Sequence, residues 1–211
     1  MKLQLALDDI TLDDALTLLE KVHSYVDIVE IGTPFIIQDG MVPVREIKKR
    51  WPHLQVLADT KIMDAGEYEA RLAFDAGADA ITVLGVTDIL TVKGCLEAAA
   101  PYDGMVVIDM ICVPDLEEKV RQLEDAGVTA LAVHTGVDQQ AAGRTPLDDL
   151  KAMRNCSKQS VIFVAGGITL STLDVYQENG ADVAIIGSGI SRAADPVNEA
   201  RLISEKLRSA R

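Results

Sequence analysis

Short runs rich in Val, Ile and Leu recur along the chain roughly every 25 residues. They are KLQLALD (2–8), VDIVEIG (26–32), QVLADTK (55–61), AITVLG (80–85), MVVIDMI (105–111), ALAVHT (130–135), VIFVAGG (161–167) and DVAIIG (182–187). Most are nearly continuous in apolar character rather than alternating, which suits strands buried on both faces of a parallel sheet. Helical patterns lie between them. Residues 11–25, TLDDALTLLEKVHSY, open with Thr11 and Asp14 in a capping-box-like start, then place Leu12, Leu16, Leu19 and Val22 on one face. Residues 66–76, 115–126, 146–154 and 171–179 read similarly. Gly77, Gly127 and Gly180 each follow a helix and precede Ala or Val and a new strand, so they read as C-terminal caps that need positive φ. Eight strand–helix units in 211 residues predict an α/β fold, a compact (β/α)8 TIM barrel forming a single domain over residues 1–211. An open doubly wound sheet is the alternative. It usually has fewer strands, and this chain lacks a GxGxxG turn after its first strand.

Composition narrows the function classes. No apolar run approaches the ~20 residues that span a bilayer, so no membrane partner is expected. The opening MKLQLALDDI soon turns acidic and carries no signal-peptide cleavage pattern. The three cysteines, Cys95, Cys112 and Cys156, are scattered and make neither CxxC nor zinc spacing, so the expected setting is a reducing cytoplasm. The formal net charge of −13 repels phosphate backbones, which argues against nucleic acid as a partner. A small phosphorylated molecule needs only a local pocket of backbone N–H groups.

In a barrel, functional groups stand at the C-terminal ends of the strands. Asp8 ends the first strand, Glu30 the second, Asp59 and Lys61 the third; Asp109 is on the fifth and His134 ends the sixth. Each has a bland reading. Asp8 could cap the first helix. Glu30, between apolar neighbours in IVEIG, needs a cation nearby to be tolerable. Asp59 and Lys61, two apart on a strand, point to one side and could be a structural ion pair. Asp64 alone reads as a helix N-cap before AGEYEA, and His134 could be a satisfied core histidine. Their gathering on one rim favours a site, because several buried ionisable groups are expensive as scaffolding. Glu30 and Asp59 offer hard oxygen ligands for Mg2+. Lys61 could serve as a Schiff-base nucleophile, but the carboxylates on both sides in sequence favour the protonated amine and an electrostatic role. After the last two strands come VAGGIT (164–169) and IGSGIS (186–191), turns in which Gly lets the backbone aim N–H donors at an anion.

Taken in order, LALD, VEIGTP (29–34), DTKIMDAG (59–66), VHTGVDQQAAGR (133–144), VAGGI (164–168) and GSGISRAADP (187–196) resemble the hexulose-phosphate synthase branch of the orotidine 5′-monophosphate decarboxylase superfamily. DxKxxD, here Asp59, Lys61 and Asp64, is that superfamily's hallmark, and the resemblance runs from residue 1 to about residue 200. The neighbouring 3-keto-L-gulonate-6-phosphate decarboxylase branch has Glu, Arg and Thr where this chain has Asp109, Val137 and Ala165, and tends to carry Arg where it has Ser188.

The resemblance implies that Glu30 and Asp59 bind Mg2+, which holds the C2 and C3 oxygens of D-ribulose 5-phosphate. It implies that His134 removes a C1 proton, and that the resulting enediolate attacks formaldehyde to give D-arabino-hex-3-ulose 6-phosphate. Lys61 would then stabilise the oxyanion, Asp8 would hydrogen-bond the sugar, and Gly166, Gly167, Gly187 and Ser188 would receive the phosphate. Asp109 joins this catalytic set. Asp64 would reach into a partner's site, making a homodimer with shared active sites. Three rivals stand beside this reading: the decarboxylase reaction, ribulose-phosphate 3-epimerisation, and a non-catalytic sugar-phosphate-binding barrel. The epimerase needs an acid and a base on opposite faces of C3, and no second suitable pair is evident. The sensor should have lost part of the charged rim, which is intact here.

Overall fold

The computed structural model describes residues 1–209. Eight parallel strands close into a barrel in sequence order: β1 (Lys2–Leu7), β2 (Ile28–Ile31), β3 (Gln55–Ile62), β4 (Ala80–Leu84), β5 (Met105–Asp109), β6 (Ala130–His134), β7 (Val161–Ala165) and β8 (Val183–Ile186), with β8 returning to pair with β1. The outer ring is made by α1 (Leu12–Val22), α2 (Thr33–Asp39), α3 (Val42–Arg50), α4 (Gly66–Asp75), α5 (Ile89–Ala99), α6 (Leu116–Asp125), α7 (Val137–Ala141), α8 (Leu147–Cys156), α9 (Leu173–Glu178), α10 (Ser188–Ser191) and α11 (Pro196–Ser209). The predicted barrel is therefore the observed one. The connections after β2, β6 and β8 each carry a short extra helix (α2, α7 and α10), which the strand–helix rhythm did not register.

The continuous apolar runs have the reason expected of them. One set of strand residues faces the helices: Leu3, Leu5 and Leu7 of β1 join Leu19, Val22 and Leu207 in the large outer core. The other set fills the barrel interior, where Ile28, Leu57, Ala80, Val107, Ala130, Phe163 and Val183 form a second apolar cluster. Local signals also hold. Thr11 caps α1, accepting from the Asp14 N–H, and Gly77, Gly127 and Gly180 have φ of 99°, 96° and 86°.

The barrel interior changes character over a single two-residue step. Side chains two apart on a strand face the same way. From the apolar cluster, that step leads from Ile28 to Glu30, Leu57 to Asp59, Ala80 to Thr82, Val107 to Asp109 and Ala132 to His134. Five strands thus place an apolar residue at mid-barrel and a polar one at the C-terminal mouth. β1 departs from this pattern: its mid-barrel residue is Gln4.

Candidate active site

The C-terminal mouth opens into a cavity of about 1140 Å3, lined by residues from all of the strands just described. Asp8, Glu30, Asp59, Lys61, Asp109, His134, Gly166, Gly167, Gly187 and Ser188 all line it. Asp64 does not. It is exposed, and its Oδ1 accepts from the Ala65 N–H at 2.7 Å. Nor is Asp64 the N-cap of α4: Ala65 holds that position in a left-handed conformation, one residue later. Asp8 likewise does not cap α1, since Thr11 does; it packs instead against Gly32, where a Cβ would sit 2.0 Å from Asp8 Oδ1.

Lys61 is the hub. Its Nζ donates to Asp59 Oδ2 at 2.7 Å and lies 3.1 Å from Asp109 Oδ2. The regular strand geometry predicted for Asp59 and Lys61 is not what joins them. β3 slips register between Ala58 and Ile62, and Lys61 has φ of 47°, a conformation that costs of order 1–3 kcal/mol in a non-glycine residue. The Lys61 N–H donates to Thr82 Oγ1 at 2.9 Å, which helps hold the bend. Burial alone would lower the ammonium's pKa, but the charges of Asp59 and then Asp109 outweigh it and raise the pKa above the usual lysine range.

Asp59 is the most heavily served carboxylate in the mouth. Oδ1 accepts from Thr82 Oγ1 at 2.7 Å and Oδ2 from Thr33 Oγ1 at 2.8 Å, beside the two contacts from Lys61. Thr33 and Thr82 carry no charge and drew no attention in the sequence, although Thr33 sits inside the VEIGTP motif and Thr82 takes the inward step on β4. Asp109 joins the hub to the histidine: its Oδ2 lies 2.9 Å from His134 Nδ1, and its Oδ1 accepts from the Ile111 N–H at 3.0 Å. Burial would raise the pKa of Asp109, but the His134 hydrogen bond and the Lys61 charge lower it overall. An ionised Asp109 accepts an N–H at Nδ1, which in the neutral ring leaves the lone pair on His134 Nε2.

Glu30 is 8 % exposed. Its partner is not the cation expected for a buried carboxylate but a neutral amide: Gln4 Nε2 donates to Glu30 Oε2 at 2.7 Å. Burial, followed by the charge of Asp59, pushes Glu30 well above the usual carboxylate range. Asp8 is raised for the same two reasons. Among the described residues, no group of three or more His, Cys, Asp and Glu is arranged to hold a metal. A hard cation held by Glu30 and Asp59 alone would draw its remaining ligands from water or substrate.

Directly after β7, Gly166 and Gly167 have φ of 127° and 67°. A Cβ on Gly166 would meet the Thr135 carbonyl oxygen at 2.9 Å. The N–H groups of Gly166 and Gly167 donate to no acceptor among the described residues, as suits a turn that receives an anion. Arg192, which drew no attention in the sequence, lines the same mouth and is paired with Asp9 from the loop after the neighbouring strand β1. Val137 stands at the mouth, 81 % exposed.

The model of the orotidine 5′-phosphate decarboxylase / HUMPS family matches residues 1–203. The chain belongs to this family. Within it, the chain is 45 % identical over 207 residues to 3-hexulose-6-phosphate synthase of Bacillus subtilis, covering 98 % of this chain and 99 % of that protein. The crystal structure of 3-hexulose-6-phosphate synthase from Salmonella typhimurium superposes with a TM-score of 0.98 at 54 % identity, over the whole of both chains. That of 3-keto-L-gulonate-6-phosphate decarboxylase from Vibrio cholerae gives a TM-score of 0.85 at 27 % identity, over 99 % of this chain and 97 % of that one. These two synthases are thus nearer in sequence than this decarboxylase.

Proposed function

We propose that this chain catalyses the reversible, Mg2+-dependent aldol condensation of formaldehyde with D-ribulose 5-phosphate to D-arabino-hex-3-ulose 6-phosphate. The observation that carries this reading is the linked set His134–Asp109–Lys61–Asp59 beside Glu30 in one cavity, in a chain so similar to proteins named 3-hexulose-6-phosphate synthase. His134 Nε2, opposite the nitrogen held by Asp109, takes the proton from C1 of the sugar phosphate. The enediolate so formed attacks the formaldehyde carbon through C1. The new C–C bond forms as the C=O π bond breaks, and the formaldehyde oxygen takes up the proton from His134. Lys61, kept protonated by Asp59 and Asp109, offers positive charge to the developing oxyanion and is poorly suited to Schiff-base formation.

Glu30 and Asp59 fit a divalent cation. Both are buried, the charge of Asp59 makes Glu30 costlier to ionise, and Glu30 Oε1 receives no hydrogen bond from the described residues. When bound, Mg2+ supplies Lewis-acid stabilisation to oxygens of the substrate. Gly166, Gly167, Gly187 and Ser188 bind the phosphate through backbone N–H groups and the Ser188 hydroxyl. The working unit is a homodimer in which Asp64 completes the partner's site. This rests on the exposure of Asp64 outside its own cavity, with Met63, Tyr68 and Leu72 exposed close by in the chain.

The test is formaldehyde consumption by the purified protein with D-ribulose 5-phosphate, in Mg2+ and then in EDTA. Consumption that requires both the sugar phosphate and the metal is the expected outcome. No consumption by folded protein would overturn the reading and make 3-keto-L-gulonate 6-phosphate the next substrate to assay. Consumption that survives EDTA would sink the metal role.

A further inference from the structure

Gln4 is a polar residue in the wrong layer. It is 1 % exposed, on β1 at mid-barrel, level with Ile28 of β2 and Ile185 of β8. The interior at this depth is otherwise filled by Leu57, Val107 and Phe163. Its amide is only half satisfied: Nε2 donates to Glu30 Oε2 at 2.7 Å, while Oε1 is buried and finds no partner among the described residues. Leaving a buried acceptor unpaired costs about 1–3 kcal/mol. An apolar side chain of the same size would fill the layer without that cost. A residue that destabilises its own layer and contacts one functional carboxylate points to a role in the site rather than in packing.

The direction of the amide is set by its neighbour: a carboxylate that ligates a cation is ionised and only accepts hydrogens, so Nε2 must face Glu30. With one carboxylate oxygen tied to β1, Glu30 loses rotational freedom, and its Oε1 is the oxygen left for a ligand. We propose that Gln4 is a positioning residue that fixes Glu30 Oε2 so that Glu30 Oε1 is presented to a divalent cation. This rests on the metal reading of Glu30 and Asp59 given above. Gln4 touches neither cation nor substrate in this role; it acts through Glu30, as outer partners of metal ligands commonly do.

The experiment is Mn2+ binding to the full chain, followed by electron paramagnetic resonance, for the unmodified protein, Gln4→Met and Glu30→Gln, with thermal midpoints for each. Gln4→Met should weaken Mn2+ binding about 10–100-fold while the midpoint is unchanged or higher. In a Glu30→Gln background, adding Gln4→Met should weaken binding no further. Undiminished Mn2+ affinity in folded Gln4→Met overturns the proposal, as does an equal loss in the Glu30→Gln background. If Gln4→Met does not fold, Gln4→Asn keeps the amide but draws it one methylene back from Glu30, and the same loss of affinity is expected of it. No Mn2+ binding by the unmodified chain would remove the metal reading itself, and this inference with it.

Discussion

Asp109 shows how much one buried carboxylate can be asked to do. It is 2 % exposed and serves two side chains, Lys61 and His134, besides the Ile111 N–H. Its sequence context, VVIDMI, says only that an acid lies on an apolar strand. That it faces His134 follows from the pairing of β5 and β6, with Asp109 opposite Ala132 and His134 one inward step beyond. Asp109→Asn should therefore impair His134 while leaving the cavity in place. The expected result is a fall in kcat of about 10²–10⁴-fold, with D-ribulose 5-phosphate binding retained by calorimetry. Near-normal turnover would free His134 from Asp109 in the mechanism. Gln4 is the opposite lesson: its signal lay in the alternation Lys2, Gln4, Ala6, Asp8 along one side of β1, and a single uncharged amide in a strand gives no hint of its partner.

Among the elements, the end of α6 carries a device that has no part in the site. Glu124 closes the helix against the turn before β7: its Oε1 accepts from Ser157 Oγ at 2.8 Å and Ser160 Oγ at 2.7 Å, and its oxygens also accept from the backbone N–H groups of Lys158 and Gln159. Burial would raise its pKa, but these donors, led by Ser160, depress it to about 2. A carboxylate whose folded pKa lies below its unfolded value stabilises the fold above the unfolded pKa, near 4.3 for Glu. That contribution is lost as pH falls toward the folded value. Glu124→Gln should thus lower the thermal midpoint at pH 7, by roughly 2–4 °C per kcal/mol lost. The gap from the unmodified chain should narrow steadily between pH 4 and pH 2. An equal gap at pH 7 and at pH 2 would remove the ionised form as the cause. At this scale α1, α4, α6, α8 and α9 were legible from caps and apolar stripes. The short α2, α7 and α10 were not, because the strand–helix rhythm calls for one helix per connection and these are extra ones of at most seven residues.

At the scale of the whole molecule, the barrel brings together residues as far apart in sequence as Asp8 and Ser188, and leaves Asp64 outside. If Asp64 completes a partner's site, then mixing Asp64→Ala chains with His134→Ala chains should restore part of the activity, since one site of a mixed dimer is intact. Demonstrated subunit exchange with no recovery would argue against shared sites. Among the described residues no helix is long and apolar enough to cross a membrane.

The sequence by itself determined the fold and the charged groups at the strand ends. Continuous apolar runs can be buried only on both faces of a sheet, and their regular spacing leaves the barrel as the economical closure. The charged residues at strand ends were legible because an ionisable group in an apolar run stands out. What only the tertiary structure decided is pairing. Lys61 turns between Asp59 and Asp109 through a positive φ, Glu30 finds an amide in place of a cation, and Thr33 and Thr82 serve Asp59. These depend on register, on a bulge and on uncharged partners brought in from other strands, and distances across a barrel are written in no local pattern of the chain.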